Sequence, residues 1–154
     1  RCYSDKYQDR NLRYKGCTVC DEWLTFSNFK AWMETQDWEA MSLDKDILVS
    51  SNKIYAPDRC VFVTRITNSF VVECNSVRGE FPIGVYWCKK ASKYAAQCRN
   101  PFTRKREGLG YYDDIVTAHY AWLARKLELA KLLAAEQKDT RVAAALIARY
   151  ENYV

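Results

Sequence analysis

Apolar positions fall into short strand-like runs over the first two thirds of the chain and into long helical spacing over the last third. The first 13 residues are polar with scattered tyrosines and no period, which predicts a loop or a short helix. Beyond Tyr14-Lys15-Gly16, the run Cys17 to Cys20 is strand-like and leads into Asp21-Glu22-Trp23. Ser27 can cap a helix that carries Phe29, Trp32 and Met33 on one face, and Asp37-Trp38-Glu39 breaks it. Then come Met41 to Leu48, the polar turn Ser50 to Lys53, and Tyr55-Ala56-Pro57-Asp58. Arg59 to Thr64 is β-branched and aromatic and predicts a strand. Thr64 stands where a helix cap belongs, ahead of Ile66, Asn68, Ser69, Phe70 and Val71. Strand, loop, strand and helix in that order make a compact ββα unit.

After Asn75-Ser76 the pattern changes. Arg78-Gly79-Glu80, Phe81 to Trp87, Lys93 to Cys98 and Gly108 to Tyr112 are short strand candidates separated by basic turns, enough for a three-stranded sheet. From Asp113 a long helix is predicted, with Asp113 and Asp114 favourable at its positive end. Its stripe Ile115, Ala118, Trp122, Leu129, Leu132 and Leu133 passes through Arg125 and Lys126 and can cover one face of the sheet. Asp139-Thr140 interrupts the period and caps a last helix, Arg141 to about Tyr150, with Val142, Leu146 and Tyr150 four apart. The fold class is therefore α+β: a ββα unit over 1–76, a three-stranded antiparallel sheet packed on a long helix over 77–133, and a C-terminal helical extension over 134–154.

Composition narrows the function classes. With 154 residues, of which 49% are hydrophobic, the chain has a core large enough for one domain or two small ones, which excludes a multidomain enzyme with a separate cofactor lobe. No apolar run is long enough for a membrane span, and the charged opening lacks the apolar stretch of a signal peptide, so a soluble, unsecreted protein without a membrane partner is expected. The net charge of +5 is concentrated: residues 77–112 hold eight Lys and Arg against Glu80 and Glu107. Such a segment is either a polyanion-binding surface or a solvated face. The seven cysteines read as reduced, mostly buried thiols. Cys17-Thr18-Val19-Cys20 has knuckle spacing, but no second pair follows to complete four ligands, so structural zinc is not expected. The lone histidine, His119, stands one position from the apolar stripe and reads as a packing residue.

Two resemblances cover about residues 1–133. Trp23 with Phe26 and Phe29, Leu43-Asp44-Lys45-Asp46, Tyr55 to Val63 and Asn68 resemble the HNH-type homing endonucleases of tailed bacteriophages. The opening, Arg1-Cys2 through Gly16, is similar to the interior of that family's usual start, which implies that residues precede Arg1. The resemblance implies a divalent ion, Mg²⁺ or Mn²⁺, bound by Asp44 and Asn68 with Asp46 close by, phosphodiester cleavage, and a bacterial host cytoplasm as location. The family's histidine is Lys45 here, a poor base at neutral pH that can still stabilise a phosphorane-like charge, and the Asn expected before Cys60 is Arg59. Read alone, the same residues also fit a structural role, with surface ion pairs in Asp44-Lys45-Asp46 and a backbone bond at Asn68.

Arg78-Gly79, Gly84-Val85-Tyr86-Trp87, Lys93-Tyr94-Ala95-Ala96, Leu109-Gly110-Tyr111-Tyr112 and Ala118 to Trp122 resemble, in their order, the plant ethylene-response-factor (APETALA-two) domain. That resemblance implies a three-stranded sheet laid in the major groove of double-stranded DNA, with the helix behind. On the residues themselves, Trp87, Lys89, Lys93, Tyr94, Gln97 and Arg99 are candidates for the exposed face, offering cations to phosphates and Arg or Gln to base edges. Tyr and Trp can instead be core, and Val85 shares the parity of Trp87. Arg78, Lys90, Arg104, Lys105 and Arg106 complete the candidate DNA-binding set. A regulatory DNA-binding protein without cleavage, or an effector gripping a host protein through the Leu-rich C-terminal helices, are the alternatives.

Overall fold

The computed structural model describes residues 2–72 and 79–153. The chain divides into two compact units, Arg1–Ser69 and Phe70–Val154. The predicted module boundary at residue 76 lies outside the described residues.

The first unit runs α1 (Asp5–Arg10), a 3-10 turn (Leu12–Tyr14), β1 (Thr18–Val19), α2 (Asp21–Leu24), α3 (Phe26–Glu34), β2 (Ser42–Asp44), β3 (Ile54–Tyr55), β4 (Val61–Val63) and α4 (Arg65–Val71), whose last two residues fall in the second unit. β2 and β4 pair antiparallel, Asp44 opposite Val61, and α4 follows, so the ββα order is present. β3 intervenes and pairs in parallel with β1 instead. Thr64 caps α4 as its position suggests: its Oγ1 accepts the Thr67 N–H at 3.1 Å. Ser27, in contrast, lies inside α3, whose N-cap residue is Thr25. The aromatic residues that bracket these short elements supply the packing. Trp23 meets Phe29 edge-on at 5.1 Å and Trp32 at 4.5 Å, and Trp32 stacks on Phe62 of β4 at 5.7 Å. Cys17 and Cys60 are buried, and burial pushes the Cys60 thiol up to about 11, so Cys60 serves as a small apolar filler.

The second unit is a meander, β5 (Val85–Cys88), β6 (Lys93–Arg99) and β7 (Arg106–Tyr112), followed by α5 (Ile115–Ala135) and α6 (Thr140–Glu151). The expected strand at 78–80 is not formed by its described residues: Gly79 to Pro82 are bends and irregular chain, and Ile83-Gly84 is a turn that Val85 N–H closes on Pro82 C=O at 3.1 Å. Asp114 caps α5 by accepting from the Val116 and Thr117 N–H groups at 2.8 and 3.0 Å, and Asp139 caps α6 through Arg141 N–H at 2.9 Å.

Helix α5 does two jobs along its length. Its first turns lay Ala118 on Val85 and Ala96, with Phe81, Tyr94, Leu109, Tyr112, Ile115 and Ala121 around them. Its later turns bury Lys126, Leu129, Ala130, Leu133 and Ala134, and α6 packs alongside with Val142, Leu146 and Tyr150 buried. Leu132, predicted in the stripe, is 57% exposed, because the buried line runs through Leu129 and Leu133 and leaves it on the flank. The Lys126 ammonium is buried within this layer. It donates to Phe70 C=O at 2.8 Å and sits 3.4 Å from the centroid of the Phe70 ring, while the Tyr150 hydroxyl donates to the same carbonyl at 3.3 Å.

Gly84 fixes how closely the sheet edge approaches α5. Its φ is +82°, and a Cβ there would run into the Trp122 ring, which also stacks with His119 at 5.3 Å. His119 is thus a packing residue, its Nδ1 3.0 Å from Ile83 C=O.

Gly84→Ala should cost about 2–5 kcal/mol of stability, from about 1–2 for the left-handed backbone and about 1–3 for overpacking, whereas Gly79→Ala, with open space around it, should be neutral in the same denaturant melts. Lys126→Met should cost about 1–3 kcal/mol by chemical denaturation, because the ammonium's bond and ring contact go while Tyr150 still serves the Phe70 carbonyl.

Candidate nucleic-acid interface

Strand alternation sorts the residues of the meander. Cross-strand partners share a face, so Val85 with Ala96 and Gly110, and Trp87 with Tyr94 and Tyr112, form rows on the side covered by α5. The opposite side carries Tyr86, Ala95 and Tyr111 in one row, Cys88 and Lys93 in another, then Gln97 with Gly108 and Arg99 with Arg106. Strict alternation along β7 would put Arg106 and Tyr111 on opposite faces. A bulge prevents this: Gly110 pairs with Ala96 but Gly108 with Gln97, so Leu109 is one residue extra. Leu109 turns into the core, Gly110 takes a φ of +124°, and the Tyr112 hydroxyl donates to Leu109 C=O at 2.8 Å. Arg106 and Tyr111 thereby face the same way.

Gln97, Arg99, Lys93 and Arg106 therefore stand on the face away from the helix, together with Tyr86 and Tyr111. Trp87 and Tyr94 do not. Trp87 is 41% exposed but belongs to the helix-side row and meets Tyr94 edge-on at 5.0 Å, because it shares the parity of Val85. Lys89 and Lys90 are exposed in the β5–β6 turn, where Ser92 has a φ of +49°. Arg78 lies outside the described residues.

The β6–β7 loop is built to hold its shape. Asn100, at its base, accepts from the Phe102 and Thr103 N–H groups at 2.8 and 3.2 Å, its own N–H bonds Lys105 C=O at 2.9 Å, and its side-chain amide donates to Glu107 at 2.8 Å. Glu107 points to the helix side and meets Arg125 of α5 at 2.9 Å, and Arg125 also meets Glu128 at 2.7 Å. Arg125 and Asn100 hold the Glu107 carboxyl below the usual range. The one acid of the β6–β7 hairpin is thus consumed internally. Lys93 pairs with Asp113 at 3.1 Å, but Lys89, Lys90, Arg99, Arg104, Lys105 and Arg106 have no carboxylate partner among the described residues.

In the first unit, the predicted pair Asp44 and Asn68 lies on β2 and α4 of the ββα unit. Asp44 Oδ1 accepts the backbone N–H groups of Asp46 and Ile47 at 2.7 and 2.8 Å, and burial raises its carboxyl above the ordinary value. Lys45 is 6% exposed. Its ammonium donates to both Asp46 oxygens at 2.6 Å and to Asn52 C=O at 2.7 Å, and the Asn52 side chain returns a bond to Lys45 C=O at 2.9 Å. These bonds hold the long segment between β2 and β3. Asn68 is half-buried, with its backbone N–H on Thr64 C=O at 2.9 Å. The oxygen donors left for a divalent ion are Asp44 Oδ2 and the Asn68 amide, and no cluster of three or more His, Cys, Asp or Glu suited to a metal occurs among the described residues. That set is too sparse to hold Mg²⁺ without oxygens from a bound phosphate.

Tyr86 and Tyr111 are the two aromatic residues of the sheet's free face that lie outside the candidate DNA-binding set. The signal for Tyr86 was present, since it alternates with Val85. Tyr111 depends on the bulge.

No family model and no solved structure matches the chain. Among curated proteins it is similar to an ethylene-responsive transcription factor of Arabidopsis thaliana, at 30% identity over 140 residues, which cover 91% of this chain. The matched stretch spans 41% of the length of that relative, so the chain corresponds to about two fifths of it.

Proposed function

We propose that this protein binds double-stranded DNA through the face of β5–β7 turned away from α5. One observation carries the reading: Arg99 and Arg106 are direct cross-strand partners, side by side on that face, with no carboxylate between them. Like charges placed opposite each other destabilise a sheet unless a counter-charge arrives from outside. Lys89, Lys90, Arg104 and Lys105 in the adjoining turns extend the same demand for an anion along a surface, which suits a polymer better than a single phosphate. The groove geometry agrees. Two strands about 4.8 Å apart, joined by a rigid loop, make a ribbon that a major groove about 12 Å wide admits. The similarity to a transcription factor supports the same reading.

Metal-dependent phosphodiester cleavage at Asp44 and Asn68, as in the bacteriophage HNH enzymes, is the second reading, and the order β2, β4, α4 is what favours it. A bound divalent ion would polarise the scissile phosphate there. Lys45 would take no part, since its three ammonium hydrogens are engaged by Asp46 and Asn52.

Log affinity for duplex DNA should fall linearly with log salt, at about −0.9 per phosphate neutralised. Within that titration, Lys105→Ala should weaken all duplexes alike and flatten the slope by about one contact, whereas Arg99→Ala should reduce preference among sequences by about 1–3 kcal/mol. Equal effects of the two across a panel of duplexes would mean binding by charge alone. Affinity should be unchanged in EDTA, and covalently closed plasmid should stay intact in Mg²⁺ or Mn²⁺. Metal-dependent nicking that disappears in Asp44→Ala would replace this reading with the second one.

A further inference from the structure

The middle of the charged face is apolar. Ala95 lies on the side away from α5 yet is only 3% exposed, and its direct neighbours on the flanking strands are Tyr86 and Tyr111. These two rings are 43% and 58% exposed, and among the described residues no ring contact joins either of them to another aromatic residue. Their Cα atoms stand two strand spacings apart, about 10 Å, and between them the Ala95 methyl is covered, so the apolar surface offered to solvent is that of the two tyrosine rings. Gln97 follows two residues along β6 on the same face, opposite Gly108, where open space stands in place of a side chain. Lys93, paired with Asp113, lies at one end of this patch and the Arg99–Arg106 pair at the other.

A surface that carries unbalanced positive charge at one end and apolar rings beside it needs a partner with the matching sequence of groups. In the major groove the apolar group is the C5-methyl of thymine, and a Gln amide pairs in bidentate fashion with adenine N6 and N7. The minor groove offers no methyl group. We propose that the exposed rings of Tyr86 and Tyr111 pack against a thymine methyl while Gln97 reads adenine, so that the centre of the sheet selects A·T pairs and the arginine pair grips the duplex beside them. The inference rests on the duplex-binding reading above and adds the base class to it.

The test needs only the unaltered chain and three duplexes of 20 base pairs at one salt concentration: alternating dA–dT, alternating dA–dU, and alternating dG–dC. Uracil removes the methyl and leaves every hydrogen-bonding edge in place. The dA–dT duplex should bind tighter than dA–dU by about fourfold for each methyl seated, the gain expected from burying one such group. Tyr86→Ala combined with Tyr111→Ala should bring the dT-to-dU ratio to one, with folding checked by thermal melting. Gln97→Ala should lower the preference for dA–dU over dG–dC and leave the dT-to-dU ratio as it was. Equal affinity of the unaltered chain for dA–dT and dA–dU overturns the methyl site while duplex binding stands. Binding to none of the three overturns the duplex reading and this inference with it.

Discussion

A three-stranded sheet has two faces and α5 can cover only one. That constraint governs the second unit. Covering the face requires a close approach, and the approach is made where Gly84 offers no side chain to the Trp122 ring. Once Val85, Ala96 and Ala118 are in contact, alternation decides the rest: every second residue of β5 and β6 turns to the helix side, and those between turn to the far side. The bulge at Leu109 then spends one residue to carry Arg106 to the same side as Arg99. The cationic face is therefore a by-product of how the core is made, with the chemistry supplied by the residues that the core did not take.

The placement of charge follows a consistent division. Each unit buries one lysine, and each of these ammonium groups has a backbone carbonyl for a partner: Lys45 on Asn52, Lys126 on Phe70. Buried in this way, a cation holds segments together and is not available to a ligand. The carboxylate of Glu107 is spent in the same manner on Arg125 and Asn100, which stiffens the loop between β6 and β7 from the helix side. What remains unbalanced is arginine and lysine on the outer face and in its turns.

Much of this could be read from the chain itself. The caps at Thr64, Asp114 and Asp139 sit where short polar side chains precede helical spacing, and each makes its bond. The α+β class, the three strands and the long helix follow from periodicity. Local signals failed where two positions compete or where partners are distant. Thr25 displaced Ser27 as cap because the chain turns two residues earlier. Trp87 looked like a surface aromatic, yet parity with Val85 assigns it to the helix side. The bulge that moves Tyr111 leaves no mark but a glycine, Gly110, of which the chain has several. Lys45 was the hardest, since its burial depends on Asn52 seven residues on, across an irregular segment with no period to read.

The bond from Tyr150 to the Phe70 carbonyl joins residues 80 apart in sequence. The meander and the start of α5, in contrast, are made of neighbours in the chain, each strand hydrogen-bonded to the next. Contacts between neighbours close small loops, whereas joining the first and last parts of this unit closes a long one at greater entropic cost. Assembly should accordingly run outward from the hairpins, with the Phe70, Lys126 and Tyr150 cluster acting as the final clasp. A ribosome releasing this chain would thus have the whole sheet folded before the residue that locks it had left the exit tunnel.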